Sequence, residues 1–307
     1  MTTQTQTQIK TLKVRAPEER RLGESLTTLA LRRLRRDKLT LLAIAILLVL
    51  TALSILAPVI TEQLGVSATR TNAQIAFAPP GTPGHILGTD DLGRDHLARL
   101  LYAGQVSLSI AFISALLSLG IGVALGIITG FYGGIVDDIV NWIIATLSSV
   151  PYLFLLLIIS AVLRPGPATL IIVLGFLGWM GTTRLVRGET LSLREREFVL
   201  SARAIGASPL RIMFGHILPN LFSVIVVTLA IDIGSLILVE ASLSYLGLGV
   251  KPPTPTWGNM LTNAQTFFTK GGHLVVMPGL LIFITVLCLY IIGDGIRDAF
   301  DPQAKDR

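Results

Sequence analysis

Long uncharged apolar runs alternate with polar segments along most of the chain. Five runs contain no charged residue, and a further run is interrupted by Asp232 alone. The six runs are 39–60, 104–129, 139–163, 168–183, 217–239 and 274–293. About 20 residues of helix cross the hydrocarbon core of a bilayer, so each run is long enough, or nearly so, to span it. The pattern predicts an all-α polytopic membrane protein with six transmembrane helices.

Composition agrees with this interpretation. Charged residues make up only 14% of the chain, against roughly 25% in an average soluble domain. The first run lies too far from the N-terminus, and is too long, for the apolar core of a cleaved signal peptide. We therefore expect it to remain as a helix.

Lysine and arginine are unevenly distributed between the segments that flank the runs. Of the 25 such residues, 19 fall in segments on the same side as both termini and six fall on the opposite side. The positive-inside rule therefore predicts a multi-pass protein with cytoplasmic N- and C-termini. The pI of 9.8 follows from this topology, and no nucleic-acid partner is expected.

The N-terminal region carries two features before the first run. Residues 1–21 are polar and lack apolar periodicity, which is typical of disorder. Leu22, Leu26 and Leu29 then recur at helical spacing before the basic cluster 32–36. This spacing fits a basic interfacial helix on the inner membrane surface, and it fits equally a plain positive-inside stop before the first span.

Polar and small residues inside the runs have two interpretations each. Glycines at 120, 122, 126 and 130 favour close helix packing, with a substrate-lining face as the alternative. Asp232 lies mid-span, where an acid is costly unless it meets a cavity or a partner. It either lines a translocation pathway with Ser235 one turn further on, or ties its helix to another. Glu240 is expected to cap the segment that follows it.

Sequence signatures of catalysis are missing. No lysine follows a glycine, so there is no phosphate-binding Gly-Lys pair, and neither HExxH nor GxSxG occurs. No enzymatic activity and no cofactor are expected. Asp90, Asp91, Asp95 and His96 form a cluster, but Arg94 in its middle opposes a cation, so a cap over the external mouth is expected and a metal is not.

The segment between the fourth and fifth runs predicts two short helices. The first is expected to end at Gly206 in a left-handed C-cap, and Ser208 to N-cap the second with Pro209 at its first position. Phe198, Ala202 and Ile205 share one face of the first helix. Met213 and Phe214 are expected to be exposed apolar residues on the second. Such a surface suits either docking to a soluble partner or an amphipathic connector resting on the headgroups.

Motifs along 32–303 resemble one family. The pattern Ala202-(x)3-Gly206-(x)11-Leu218-Pro219 is similar to the "EAA" loop of ABC-importer permeases of the dipeptide/oligopeptide branch, although Leu200 and Ser201 replace the Glu and Ala that name it. Five further segments of the chain resemble motifs of that branch. They are 88–95 (G-T-D-x-x-G-R-D), 132–137, 240–249, 293–298 and 301–302. The resemblance implies a MetI-like type I importer fold.

The resemblance also implies a function and partners. The chain would be a non-catalytic subunit of the bacterial inner membrane that forms half of a pathway for peptides. It would pair as a heterodimer with a second homologous permease. Two ABC ATPase subunits inside and an extracytoplasmic solute-binding protein outside would complete the machine. Nickel complexes, glutathione or oligosaccharides are alternative substrates, and an ion-coupled secondary transporter is the alternative from another class.

Roles for individual residues follow from the same resemblance. An ATPase-coupling loop within 188–218 would use Ala202, Arg203, Ile205, Gly206, Ser208, Arg211, Met213, Phe214, Leu218 and Pro219. The external motif would use Gly88, Asp90, Gly93, Arg94 and Asp95. The expected division is 1–37 cytoplasmic tail, 38–103 first helix and external segment, 104–297 permease domain and 298–307 cytoplasmic tail.

Overall fold

The computed structural model describes residues 26–163 and 166–300. The predicted disordered segment 1–21, Leu22, and the pair 301–302 lie outside the described residues. Within the described ranges the regular structure is helical and contains no strand, apart from two isolated bridges in the segment before residue 96.

Thirteen helices are described in these ranges. They are α1 (Leu26–Leu34), α2 (Lys38–Ile55), α3 (Ala57–Leu64), α4 (His96–Tyr132), α5 (Gly134–Ser148), α6 (Tyr152–Val162), α7 (Pro167–Arg194), α8 (Glu197–Ala204), α9 (Pro209–Ile212), α10 (Leu218–Asn220), α11 (Phe222–Tyr245), α12 (Ala264–Lys270) and α13 (His273–Phe300). A π turn joins α9 to α10, and two short 3₁₀ turns lie in the connections.

Five helices are long and apolar enough to cross a membrane, namely α2, α4, α7, α11 and α13. The longest, α4, has 37 residues, about 55 Å at the usual rise, so it extends well beyond a hydrocarbon core of roughly 30 Å. The remaining predicted span, the run 139–163, corresponds to the pair α5 and α6, which is bent by 80°. Pro151 lacks an amide hydrogen and disfavours helical backbone at the residue before it, so the run 139–163 cannot continue as one straight helix.

The first predicted run also divides, into α2 and α3, at Leu56. Its start is fixed by Asp37, whose carboxylate accepts hydrogen bonds from the backbone nitrogens of Leu39 and Thr40 at 3.0 and 3.3 Å. A further hydrogen bond from the Thr40 hydroxyl lowers the pKa of Asp37. The carboxylate therefore remains charged at the positive end of the helix dipole.

Close packing of α4 against α7 forms the centre of the bundle. A Cβ added at Gly122, Gly126 or Gly130 would lie 2.6 to 2.7 Å from the Cβ of Thr182, Val186 or Thr190, respectively. The two helices can approach this closely only because these positions lack side chains. The structure confirms the packing interpretation for these three glycines, whereas Gly120 has no such neighbour.

Candidate functional site

The segment from α8 to α10, residues 197–220, forms a helical loop at one end of α4 and α7. Gly206 follows α8 with φ +84°, a left-handed conformation that favours glycine. The Ser208 hydroxyl accepts a hydrogen bond from the backbone nitrogen of Arg211 at 3.4 Å, and Pro209 occupies the first turn of α9. The predicted turn chemistry is confirmed at these positions.

One side of the helical loop is buried against the bundle. Val199, Ala202, Ile212, Met213, Ile217 and Leu221 form a cluster with Ile127 of α4 and Val186 of α7. The prediction that Met213 is exposed is wrong, since only 4% of its surface is accessible. Met213 lies four residues before the fully buried Ile217, and this spacing puts both on the inward side. Ala202 is likewise buried and does not share the exposed face with Ile205.

The other side of the helical loop presents an apolar-and-arginine face. It comprises Ile205, Leu210 and Phe214 together with Arg203 and Arg211, all exposed. Leu210 and Phe214 also line an apolar groove that continues along α4. Ile205 keeps 86% of its surface accessible. Leu210 was absent from the sequence prediction, although its spacing of four residues from Phe214 would have placed it on the same face. Of the remaining predicted residues, Pro219 is exposed and Leu218 half-buried.

Arginine contacts hold the helical loop to α4 and connect the neighbouring ends of α4, α5 and α7. The Arg203 guanidinium lies 5.7 Å from the centre of the Phe131 ring near the end of α4. Arg194 donates from Nη1 to the backbone oxygen of Gly130 at 3.1 Å. Arg187 of α7 donates from Nη2 to Oδ2 of Asp137 at 2.6 Å and also pairs with Oδ1, which gives a bidentate ion pair with α5. All three contacts join residues that are distant in the sequence, and none of them was predicted.

At the opposite end of α4, residues 66–95 fold into a cap that depends on two glycines. Gly88 and Gly93 have φ angles of +75° and +70°. A Cβ at Gly88 would lie 2.2 Å from the backbone oxygen of Ala78, and one at Gly93 would lie 1.8 Å from that of Asn72. Both positions therefore require glycine for backbone conformation and for space.

Asp90 organises the cap. One of its oxygens accepts hydrogen bonds from the backbone nitrogens of Leu92 and Arg94, both at 2.9 Å. Its Oδ2 pairs with Nε of Arg94 at 2.7 Å and with Nε of Arg99 at 3.2 Å. The carboxylate is thus shared between two buried guanidinium groups, one of which, Arg99, was not predicted.

Asp95 joins the cap to α4. Its Oδ1 accepts from the backbone nitrogen of Ala98 at 2.7 Å and so caps the helix, while Oδ2 lies 2.8 Å from Nδ1 of His85. The five predicted residues of the external motif are therefore brought together around the start of α4. The acidic groups lie against Arg94, Arg99 and His85, an arrangement that occupies their oxygens with protein donors.

Glu240 of α11 is completely buried beneath the cap. Its carboxylate accepts hydrogen bonds from the hydroxyls of Ser107, at 3.0 Å, and Ser244, at 2.7 Å. The backbone nitrogen of Trp257 donates to the same Ser107 hydroxyl at 3.2 Å. Glu240 therefore contacts the following segment, as expected, and in addition joins α11 to α4.

Asp232 and Ser235 lie half-buried in α11 and face different helices. The Thr182 hydroxyl of α7 donates to Oδ2 of Asp232 at 3.2 Å. The Ser235 hydroxyl is 3.4 Å from the hydroxyl of Tyr290 in α13. The structure does not bring the two predicted pathway residues to one partner.

Sequence comparison identifies the family. Residues 122–306, which include the helical loop, match the family described as binding-protein-dependent transport system inner membrane component. The chain belongs to this family. Residues 25–80 of this inner membrane component also match the N-terminal TM domain of oligopeptide transport permease C.

Relatives of this inner membrane component are named as permease proteins of transport systems. It is 36% identical over 276 residues to the dipeptide transport system permease protein DppC of Haemophilus influenzae, covering 88% of this chain and 92% of the relative. Identity to the oligopeptide transport system permease protein OppC of Bacillus subtilis is 37%, covering 90% and 89%. Identity to the glutathione transport system permease protein GsiD of Escherichia coli is 44% over 221 residues, covering 72% and 73%.

A solved structure shares the fold of this inner membrane component. A chain of the MetNI methionine ABC transporter, solved in inward-facing conformations, superposes with a TM-score of 0.53 at 20% identity. The match covers 66% of this chain and 96% of that one. It supports the MetI-like all-α fold that the sequence motifs implied.

Proposed function

We propose that this chain is the permease subunit of an ATP-driven importer and forms half of a pathway for peptides. The observation that carries the proposal is the two-sided helical loop. Its buried side packs on α4 and α7, and its other side offers apolar and arginine side chains to a partner. A second, homologous permease would complete the pathway.

Energy would come from two ABC ATPase subunits, because the sequence lacks a Gly-Lys phosphate-binding pair. Ile205, Leu210 and Phe214 would enter a groove on one ATPase, while Arg203 and Arg211 would pair with acidic groups at its rim. Ala202 and Met213 would support this face from beneath. Gly206 and Ser208 would set the angle between α8 and α9.

The buried side of the loop supplies a route for the mechanical signal. Packed side chains resist compression, so a displacement of the docked face moves Ile127 and Val186 together with it. ATP binding would thereby shift α4 and α7 as rigid elements and turn the pathway from one side of the membrane to the other.

Sidedness follows from the distribution of charge. The end that bears the helical loop carries the lysine and arginine excess, so it would face the cytoplasm together with both termini. The cap would then face outwards and receive a solute-binding protein. The basic helix α1 would lie at the inner surface before the first span.

Peptides are the proposed cargo because relatives covering about nine-tenths of the chain are named for dipeptide and oligopeptide transport. Glutathione is the second candidate, favoured by the relative with 44% identity over a shorter match. For Asp232, the hydrogen bond from Thr182 supports a structural tie between α11 and α7 over a pathway role.

The test is ATP-driven uptake by the reconstituted complex of both permeases and both ATPases, supplied with loaded binding protein. Ile205→Asp should abolish the stimulation of ATP hydrolysis by loaded binding protein, since it places a charge in the docking groove. Ile135→Asp is the matched control, because Ile135 is an exposed isoleucine at the start of α5, outside both the helical loop and the cap. Equal stimulation in the two variants would contradict the docking role, and uptake driven by an ion gradient without ATPases would contradict the importer.

A further inference from the structure

A cavity of about 290 Å³ opens between the cap and the segment that connects α11 to α13. Its charged lining residues are Asp90, Asp91, Arg94, Arg99 and Lys251, and its walls include Val250, Met260, Phe267 and Leu274. Its position, at the end of α4 remote from the helical loop, separates it from the proposed ATPase contact.

Arg99, which lines this cavity, has an unused donor. Its residue surface is 5% exposed, and Nε pairs with Asp90, but Nη1 is buried and has no hydrogen-bond partner among the described residues. Buried guanidinium nitrogens are nearly always satisfied, because leaving one unpaired costs free energy. The chemistry of this donor calls for an acceptor close to Arg99.

The neighbouring His96 is unpartnered as well. It also lines the cavity and is almost completely buried, and neither ring nitrogen has a hydrogen-bond partner in the described part of the chain. Its ring meets that of His273 edge-on, with 5.6 Å between the ring centres. Arg99 and His96 are thus two residues of the cavity lining with buried nitrogen atoms that have no partner.

The balance of charge favours an anion. Asp90 is shared between Arg94 and Arg99, and Asp91 approaches Nη2 of Arg94 at 3.4 Å, so both carboxylates already face guanidinium groups. The lining holds three permanent cations against these two anions. The exposed Lys251 adds its positive charge at the rim. One further carboxylate would match both the net charge and the free donor.

We propose that this cavity binds a single carboxylate group, that of a peptide entering the pathway, through Arg99 and Lys251. The inference rests on the proposed import of peptides. The cavity volume suits one or two small residues, and its apolar walls would accept their side chains. An acidic side chain of the docked binding protein carries the same group and is the other possible source.

Direct binding tests the free peptide. The assembled permease and ATPase complex in lipid nanodiscs, without binding protein, is titrated with the dipeptide Ala-Ala and observed by saturation-transfer NMR of the alanyl methyl groups. Ala-Ala should bind, and Ala-Ala amide, which lacks the carboxylate, should bind about tenfold more weakly. Lys251→Glu should weaken Ala-Ala binding by a similar factor. Lys270→Glu is the control, since Lys270 is a basic residue near the cap that does not line the cavity.

Arg99→Lys tests the buried donor separately, because it keeps a positive charge for Asp90 but removes the forked guanidinium. It too should weaken Ala-Ala binding, with the complex still assembled. The second assay measures the concentration of binding protein needed for half-maximal ATPase stimulation. If Ala-Ala does not bind, but Lys251→Glu raises this concentration about tenfold and Lys270→Glu leaves it unchanged, the carboxylate belongs to the binding protein.

The carboxylate site is overturned if Lys251→Glu and Arg99→Lys match Lys270→Glu in both assays while the complex still imports peptide. That result leaves the proposed function standing. A complex that hydrolyses ATP but imports no peptide under any condition would instead contradict the proposed function itself.

Discussion

The helical loop and the cap lie at opposite ends of α4 and keep their shapes by different means. The loop is held mainly by apolar packing around Met213 and Ile217. The cap is held by glycines without room for a side chain and by ion pairs around Asp90. The proposed movement with a partner would therefore use an element held by packing, whereas the cap depends on fixed polar geometry.

The largest loss of stability is expected when the ion pairs of the cap are broken. Asp90→Asn removes the charge that faces both Arg94 and Arg99 and leaves two buried guanidinium groups unbalanced, at a cost of about 3–5 kcal/mol. Asp91→Asn is the control, since this partly exposed side chain makes one long contact and should cost less than about 1 kcal/mol. Thermal unfolding in detergent measures both. Equal losses would show that Asp90 does not organise the cap.

A somewhat smaller loss is expected at a cap glycine. Gly93→Ala would force a Cβ against the Asn72 backbone and should destabilise the protein by about 3 kcal/mol. Gly65→Ala provides the comparison, because Gly65 has nearly the same φ, +66°, with open space around it. It should lose only about 1 kcal/mol from backbone strain. An equal loss of stability in the two variants would mean that backbone conformation alone, and not space, makes glycine necessary at position 93.

Truncation in the helical loop should separate stability from coupling. Met213→Ala removes buried apolar surface and should cost about 2–3 kcal/mol, with faster hydrogen exchange in 197–220. Phe214→Ala lies on the exposed face and should change stability by less than about 0.5 kcal/mol, yet reduce stimulated ATP hydrolysis by the complex. If Phe214→Ala instead raised hydrogen exchange as much as Met213→Ala, the division into two sides would be wrong.

The smallest effect concerns the contact between Arg203 and the Phe131 ring. Arg203→Gln removes a cation–π interaction near the protein surface and should lower stability by about 0.5–1 kcal/mol. Arg211 takes no part in that contact, so Arg211→Gln should leave stability unchanged. Both variants should weaken stimulated hydrolysis, because both remove a charge from the apolar-and-arginine face. A stability loss of equal size in Arg211→Gln would contradict the assignment.

Much of the fold could be predicted because its signals are local. Apolar runs indicated the spans, and Gly206, Ser208 and Pro209 specified a turn whose chemistry needs only neighbouring residues. The bend at Pro151 was not predicted, since hydropathy alone does not separate a straight span from a broken one. The confirmed elements are those in which hydropathy or turn chemistry acts within a few residues.

The parts that were missed depend on contacts between distant positions. Met213 looked like an exposed residue because its burial is created by Ile127 and Val186, far away in the sequence. Arg99 meets Asp90 only after the cap folds back onto α4, and Arg187 meets Asp137 only when α7 packs beside α5. Composition and spacing carry no information on such pairs.

The most direct measurement of the central claim is a photocrosslink from the helical loop. Phe214 and Phe268 are equally exposed, at 65% and 64%, but lie at opposite ends of the bundle. Each is replaced in turn by p-benzoylphenylalanine in the complete complex, which is then irradiated. The account predicts crosslinks to an ATPase subunit from position 214 and none to an ATPase from position 268. Crosslinks from 214 to lipid alone, or to an ATPase from 268, would contradict it.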